Sequence, residues 1–284
     1  MPPSLETSYA KCESLANSHY ENFPVAKMVP KRLRKAAVYA FARTADDIAD
    51  ENHDTIADND PIRIRRLEEF QSQLDVSDAS KLDPRWDWIF IACADTIKKF
   101  SIPDSLFRDL ISAFAQDVVK KRYADFPELL DYCRRSANPV GRLVLLLHGF
   151  SDDERFRMSD NICTALQLAN FWQDMSVDRL KNRIYIPESD WNGADEAEIF
   201  ADTATARVRE IVKFQVERTR GLFDAGERLP SLLPFPLSLE IRATLAGGRA
   251  ILDKIQSQGF DTLSKRPAIG KIDKLRILLR ALIP

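Results

Sequence analysis

Two stretches of the chain repeat one pattern of carboxylates: Asp46-Asp47-Ile48-Ala49-Asp50 and, 128 residues further on, Asp174-Met175-Ser176-Val177-Asp178. Each carries aspartates at i and i+4, which a helix aligns on one face, one turn apart. The residues leading into both stretches are apolar, so the acids interrupt a wall that otherwise favours burial. Like charges in an apolar interior repel and are driven to protonate unless a cation neutralises them. Magnesium suits that role, because it takes one or two carboxylates together with phosphate oxygens and keeps several waters. A single such pair also reads as the solvated end of a helix. Two pairs on apolar helices, with arginines nearby, point to ionisation of a diphosphate.

The flanking residues extend both patterns. Arg43, Asp46, Asp47 and Asp50 fall at i, i+3, i+4 and i+7, one polar stripe on an apolar helix. Gln167, Asn170, Asp174 and Asp178 fall at i, i+3, i+7 and i+11 among Leu166, Leu168, Ala169, Phe171 and Trp172. Aspartates near helix C-termini meet the negative end of the macrodipole, a local cost that a bound cation offsets.

Helical periodicity positions these stripes and runs through the whole chain, with breaks at Phe23-Pro24, Val29-Pro30, Ile102-Pro103, Phe126-Pro127 and Leu229-Pro230. The pattern predicts ten helices, over 4–20, 31–51, 61–74, 84–99, 103–121, 127–147, 152–178, 195–227, 236–257 and 270–282. Only nine glycines in 284 residues support helices over a turn-rich β architecture. No linker and no internal repeat stand out, so the expectation is one all-α domain over residues 1–284.

Composition narrows the partners. A formal net charge of -2 argues against a nucleic-acid-binding stripe. Cys12, Cys93, Cys133 and Cys163 show no CxxC pair and read as reduced core thiols. The first residues show no basic segment followed by an apolar one, so the cytoplasm is the expected location. The longest apolar runs, Ala36 to Ala42 and Trp88 to Ala94, are seven residues, far short of the roughly 20 that cross a bilayer. There is no GxGxxG after a strand to indicate a nicotinamide. Three histidines without an HxxxH pair or a Cys/His cluster argue against a zinc centre.

Several residues support two readings. His19 is either a structural histidine at a helix end or a catalytic base. His148, after Leu143-Val144-Leu145-Leu146-Leu147, reads as a packed histidine, and His53 as a solvated one. Arg134-Arg135 is a surface charge patch or a diphosphate contact. Arg183, five residues after Asp178, is a loop arginine or a cation folded back over a metal site. The apolar connection from Leu229 to Leu237 plugs one end of the core or touches a membrane surface at the inner face of a membrane, through Leu233 and Phe235.

The aspartate segments, read with Tyr39-Ala40-Phe41-Ala42-Arg43-Thr44-Ala45 and Asn170-Phe171-Trp172-Gln173-Asp174, resemble the squalene and phytoene synthase family of prenyl synthases. The resemblance covers nearly the whole chain. With His19-Tyr20-Glu21-Asn22-Phe23-Pro24-Val25-Ala26 and Ala246-Gly247-Gly248-Arg249-Ala250-Ile251-Leu252, it is closest to the bacterial hydroxysqualene synthase branch. It implies an all-α isoprenoid synthase fold with a central cavity. Asp46, Asp50, Asp174 and Asp178 are then magnesium ligands with Asp47 as an accessory, and Arg43 and Arg183 meet the diphosphate. Tyr132, His19, Phe23, Val140, Gly141, Gln167, Asn170 and Tyr185 line the prenyl and diphosphate pockets, with Tyr132, Gln167 or Asn170 positioning a water.

The branch converts presqualene diphosphate and water to hydroxysqualene and diphosphate in hopanoid synthesis, without NADPH, beside a presqualene diphosphate synthase as functional partner. The family pattern has an arginine immediately before the second motif, where this chain has Gln173. That departure fits a site handling one diphosphate. The rival readings are a sister enzyme that couples two prenyl diphosphates to presqualene diphosphate or phytoene, and a non-catalytic assembly factor of the same fold.

Overall fold

Prolines and short polar runs decide where the helices stop. The computed structural model describes residues 1–19, 32–49 and 60–282. Among them it contains twelve α-helices, a few 3-10 turns and no strand. They are α1 (Leu5–His19), α2 (Arg32–Ala49), α3 (Asp60–Ser72), α4 (Asp87–Phe100), α5 (Ser105–Val119), α6 (Phe126–Ser136), α7 (Asn138–Leu147), α8 (Asp153–Asp178), α9 (Glu196–Ile199), α10 (Ala206–Gly226), α11 (Leu237–Ser257) and α12 (Lys271–Leu282).

Two of the expected helices are each divided. The stretch 127–147 breaks into α6 and α7 at Asn138-Pro139, because proline has no N–H for the helical ladder and its ring clashes with the preceding turn. The stretch 195–227 is interrupted after Ile199, and α10 starts afresh where the Thr205 hydroxyl accepts from the Val208 N–H at 3.3 Å.

The chain packs as two compact units, one of residues 1–120 and 139–151, the other of 121–138 and 152–284. In the first, α2 is the spine. Ala36, Ala37, Ala40, Phe41 and Ala45 are buried on it, and α1, α3, α4 and α5 pack around it. The alanines admit neighbours closely enough for the Cys93 Sγ to reach the Ala37 carbonyl at 3.6 Å. Phe41 meets Phe107 edge-on at 4.8 Å between centroids and Phe70 at 5.1 Å. Full burial of such a ring stabilises by about 1.5–3 kcal/mol. The rest of α2 is left to carry its polar stripe.

In the second unit α8 is the spine, with α6, α10 and α11 against it. Gly226 at the end of α10 sets how closely α10 approaches. A Cβ there would lie 2.8 Å from the Met158 carbonyl oxygen, a backbone atom that cannot move aside cheaply. Gly226→Ala is expected to destabilise the protein by about 1–3 kcal/mol. Thermal unfolding checks this, and an unchanged midpoint would place the spacing constraint elsewhere.

Leu229, Pro230, Leu233 and Leu237 are buried, so the connection before α11 plugs the core; Phe235, 74% exposed, is the one large side chain it leaves outside. Cys12, Cys93 and Cys133 are buried, and no cysteine is in a disulfide. Burial pushes the Cys12 thiol up to about 12 and holds that of Cys93 well above its ordinary range, so both stay protonated and unreactive. Among the described residues no helix is long and apolar enough to cross a membrane.

Candidate active site

On α2 the described part of the polar stripe, Arg43, Asp46 and Asp47, comes together. Arg43 Nη2 stands 2.5 Å from Asp47 Oδ1, and Nη1 stands 3.5 Å from Asp46 Oδ2. The expectation of buried acids needs correction. The side chains of Arg43, Asp46 and Asp47 are 33%, 42% and 31% exposed, so the acids are half-exposed, although the Asp47 oxygen that faces Arg43 is itself buried. Pairs of this kind contribute about 0.3–0.5 kcal/mol, so Arg43 orients the acids more than it secures the helix. Asp50, Phe23 and the His19 side chain lie outside the described residues, as does His53. Val140 and Gly141 occupy the first turn of α7, Val140 being exposed and Gly141 half-buried.

On α8 one wet line crosses an apolar wall. Leu168, Ala169, Phe171, Trp172 and Met175 are buried, while Asn170 is exposed and Gln167, Asp174 and Asp178 are half-buried. Trp172 fixes the register of the wall by donating its indole N–H to Thr219 Oγ1 at 2.9 Å. Gln173 belongs to the wall. Its amide donates to the Pro267 carbonyl at 2.7 Å, and it is only 8% exposed.

The segment before α12 therefore runs along the end of α8. Thr262 donates to Met175 Sδ at 3.3 Å, and Pro267 accepts from Gln173. Between them Arg266 grips Asp174, with Nε 2.5 Å from Oδ1 and Nη2 3.2 Å from Oδ2. The Asp174 carboxylate holds the Arg266 guanidinium above its ordinary value, and the nearby Asp178 adds to the effect. This corrects the expectation that a basic contact is missing at the second aspartate pair: the cation comes from residue 266, and residue 173 is turned into the core. The sequence reading missed Arg266. Its only local signal is a cationic pair, Lys265-Arg266, stopped by Pro267 in a non-helical stretch.

After Asp178 the chain turns back. A 3-10 turn over Arg179–Lys181 leads to Asn182 in the left-handed region, with φ 54°, and the Arg183 N–H then donates to the Asp178 carbonyl at 3.0 Å. Arg179 is structural. It donates to the carbonyls of Phe200 and Ala201 and pairs with Asp202 at 2.8 Å. Asp178, Arg183 and Tyr185 consequently line one small pocket whose apolar walls include Phe171 and Ile199.

Tyr185 stacks flat on Phe171, with centroids 3.6 Å apart and planes 8° from parallel. Tyr132, 3% exposed, joins them at 5.9 Å from Phe171 and 6.2 Å from Tyr185, and Tyr123 completes the cluster. The rings cover one another and so make one rigid aromatic wall beside Asp178 and Arg183. Arg134 and Arg135 both pair with Asp131, at 2.9 and 3.0 Å, Arg134 exposed and Arg135 half-buried. His148 Nδ1 bonds to the Val144 carbonyl at 2.8 Å, as a packed histidine does.

The acids on α8 fit a metal only as part of a larger set. Among the described residues no three His, Cys, Asp or Glu side chains gather as a metal cage. Structural zinc needs four protein ligands, which two carboxylates do not supply. Magnesium completes its octahedron from substrate phosphates and water, and two carboxylates are what it asks of a protein.

Among the described residues there are helices and no strand, and aspartates and arginines stand beside an aromatic pocket, the layout of an isoprenoid synthase fold. The chain belongs to the squalene/phytoene synthase family, whose model matches residues 15–273. Members of that family act on prenyl diphosphates and typically depend on a divalent metal. Hydroxysqualene synthase of Sinorhizobium fredii is 31% identical over 276 residues, covering 95% of this chain and 90% of that one. Chloroplastic phytoene synthase 1 of Zea mays is 28% identical over 285 residues, covering 96% of this chain and 68% of the plant protein. The crystal structure of squalene synthase HpnC from Alicyclobacillus acidocaldarius superimposes with a TM-score of 0.81 at 39% identity, over 92% of this chain and 97% of that one.

Proposed function

We propose that the protein, working as one domain over residues 1–284, is a hydroxysqualene synthase, converting presqualene diphosphate and water to hydroxysqualene and diphosphate. The observation that carries this reading is the pocket in which Asp178 and Arg183 meet the stacked Tyr185–Phe171 wall. It sets a carboxylate and a guanidinium, suited to a metal and a departing diphosphate, beside an aromatic wall, in a space that must widen to admit the substrate. Similarity to the Sinorhizobium enzyme over nearly its full length supports the particular reaction.

Asp46, Asp47, Asp50, Asp174 and Asp178 are the residues we assign to magnesium, which when bound neutralises charge developing on the leaving oxygen. Arg43, Arg183 and Arg266 supply guanidinium groups to the diphosphate; a planar fork suits phosphate oxygens as it suits carboxylates. Phe171, Tyr185 and Tyr132 exclude bulk water while the cyclopropylcarbinyl cation rearranges. Gln167 and Asn170, on the same line as the aspartates, are the polar groups suited to present one water to that cation. His19, Phe23, Val140 and Gly141 are assigned to the prenyl chains. The product is an alcohol formed by water capture, so the reaction consumes no NADPH. A separate presqualene diphosphate synthase supplies the substrate.

A second reading, coupling of two prenyl diphosphates to presqualene diphosphate or phytoene, gains support from Arg266, which brings a cation to the second aspartate pair, and from the plant phytoene synthase similarity. One assay separates them. Purified protein with Mg²⁺ is given presqualene, farnesyl or geranylgeranyl diphosphate without NADPH, and the products are resolved by chromatography. Hydroxysqualene from presqualene diphosphate is expected; turnover of either shorter diphosphate with presqualene diphosphate untouched would sink the assignment.

A further inference from the structure

Helix α12 has two apolar faces, and only one is packed. Ile277 is half-buried and Ala281 is 1% exposed on the side where α11 lies against it. Leu275, Leu278, Leu279 and Leu282 fall at i, i+3, i+4 and i+7, and they are 58%, 45%, 54% and 60% exposed. At about 100° per residue these four side chains form one stripe roughly 100° wide, turned away from Ile277 and Ala281. The stripe begins at Lys271 and is bordered by Lys274 on one side and Arg276 on the other, all three exposed.

The one acid of the helix stands apart from that stripe. Asp273 takes the Lys254 ammonium at 3.0 Å and the Gly270 N–H at 2.9 Å, so it is engaged on the packed side. In a chain whose formal net charge is -2, this face is a leucine stripe in a cationic border. The family-matched segment ends at residue 273, so the exposed leucines lie in a part of the chain that the family pattern does not describe.

We infer that α12 lies flat on an anionic lipid surface, its leucines in the acyl boundary and its lysine and arginine heads among the phosphates. A 12-residue helix is about 18 Å long, which is enough to lie in the interface and too short to span it. Long basic side chains let apolar stems follow the leucines while the charged heads stay at headgroup level. A second copy of the chain is a poorer occupant, because a two-fold pairing of this face would bring its cationic borders together. The inference is independent of which prenyl diphosphate the protein uses.

Vesicle flotation of the full chain tests it, comparing phosphatidylcholine vesicles with vesicles that also contain phosphatidylglycerol. The protein is expected to float with the anionic vesicles and to be released by salt. Leu275→Ser/Leu278→Ser/Leu279→Ser/Leu282→Ser should reduce the bound fraction about tenfold or more, and so should Lys271→Gln/Lys274→Gln/Arg276→Gln, which leaves the leucines in place. Both variants should keep the wild-type unfolding midpoint and wild-type turnover of detergent-solubilised substrate. Failure of the wild-type protein to float with anionic vesicles would overturn the inference. So would undiminished binding by the charge variant, or a wild-type dimer in light scattering that the leucine variant dissolves without any vesicle binding.

Discussion

Asp174→Asn is expected to lower turnover by about a thousandfold while circular dichroism and the unfolding midpoint stay at wild-type values. The size follows from the role proposed for the carboxylate. Charge stabilisation at a leaving phosphate oxygen is worth several kcal/mol, and each 1.36 kcal/mol is a factor of ten in rate. Survival of the fold follows from geometry: Asp174 sits on the wet line of α8, while its neighbours Trp172, Gln173 and Met175 secure the helix through Thr219, Pro267 and Thr262. Asparagine keeps the shape and one acceptor for Arg266, and loses the charge. Asp46→Asn should behave alike, since its contact with Arg43 is a half-exposed pair of little structural weight. Wild-type turnover in either variant would remove the aspartates from the chemistry.

Arg266→Ala should cost about ten- to a hundredfold in kcat/KM. In the structure the guanidinium is committed to Asp174, the carboxylate proposed for magnesium. Once that carboxylate is engaged elsewhere, the fork needs another bidentate acceptor, and two oxygens of a diphosphate in the same place provide one. A charge-assisted hydrogen bond to a buried partner is worth roughly 1.5–3 kcal/mol, which sets the range. Arg266→Lys should recover part of the loss, because an ammonium keeps the charge without the fork. If both variants stay within about twofold of wild type, Arg266 serves only to neutralise Asp174 in the unliganded protein.

These two residues mark what the sequence could and could not reveal. Asp174 was legible because helical spacing is a local rule: Gln167, Asn170, Asp174 and Asp178 share a face by arithmetic alone, and burial in α8 follows that arithmetic. Arg266 lies 92 residues away in a segment without periodicity, and only tertiary packing brings it to Asp174. Gln173 misled for the same reason. Its place in the motif suggests a missing cation at the site, but its amide faces the core and holds Pro267. The apolar lead-in to α2 likewise pointed to buried acids, yet the alanine face of that helix packs while the Arg43 stripe stays half-exposed. The break before Asn138-Pro139 was missed, because the hydrophobic pattern continues on both sides of the proline and outweighs it in a periodicity reading.

The anchoring of the segment before α12 bears on how fast Arg266 can change partners. Asp261 is held by the N–H groups of Ala204 and Ser264 and by Arg209, the Gln258 amide donates to the Lys265 carbonyl, and Pro267 is bound by Gln173. With its backbone pinned on both sides, Arg266 has only its own side-chain torsions to turn. Rotamer changes of an exposed side chain take picoseconds to nanoseconds, whereas collective lid or domain motions take microseconds to milliseconds. On the proposed reading, transfer of this arginine from carboxylate to diphosphate needs side-chain torsions and the breaking of one ion pair, with no movement of the backbone that carries it.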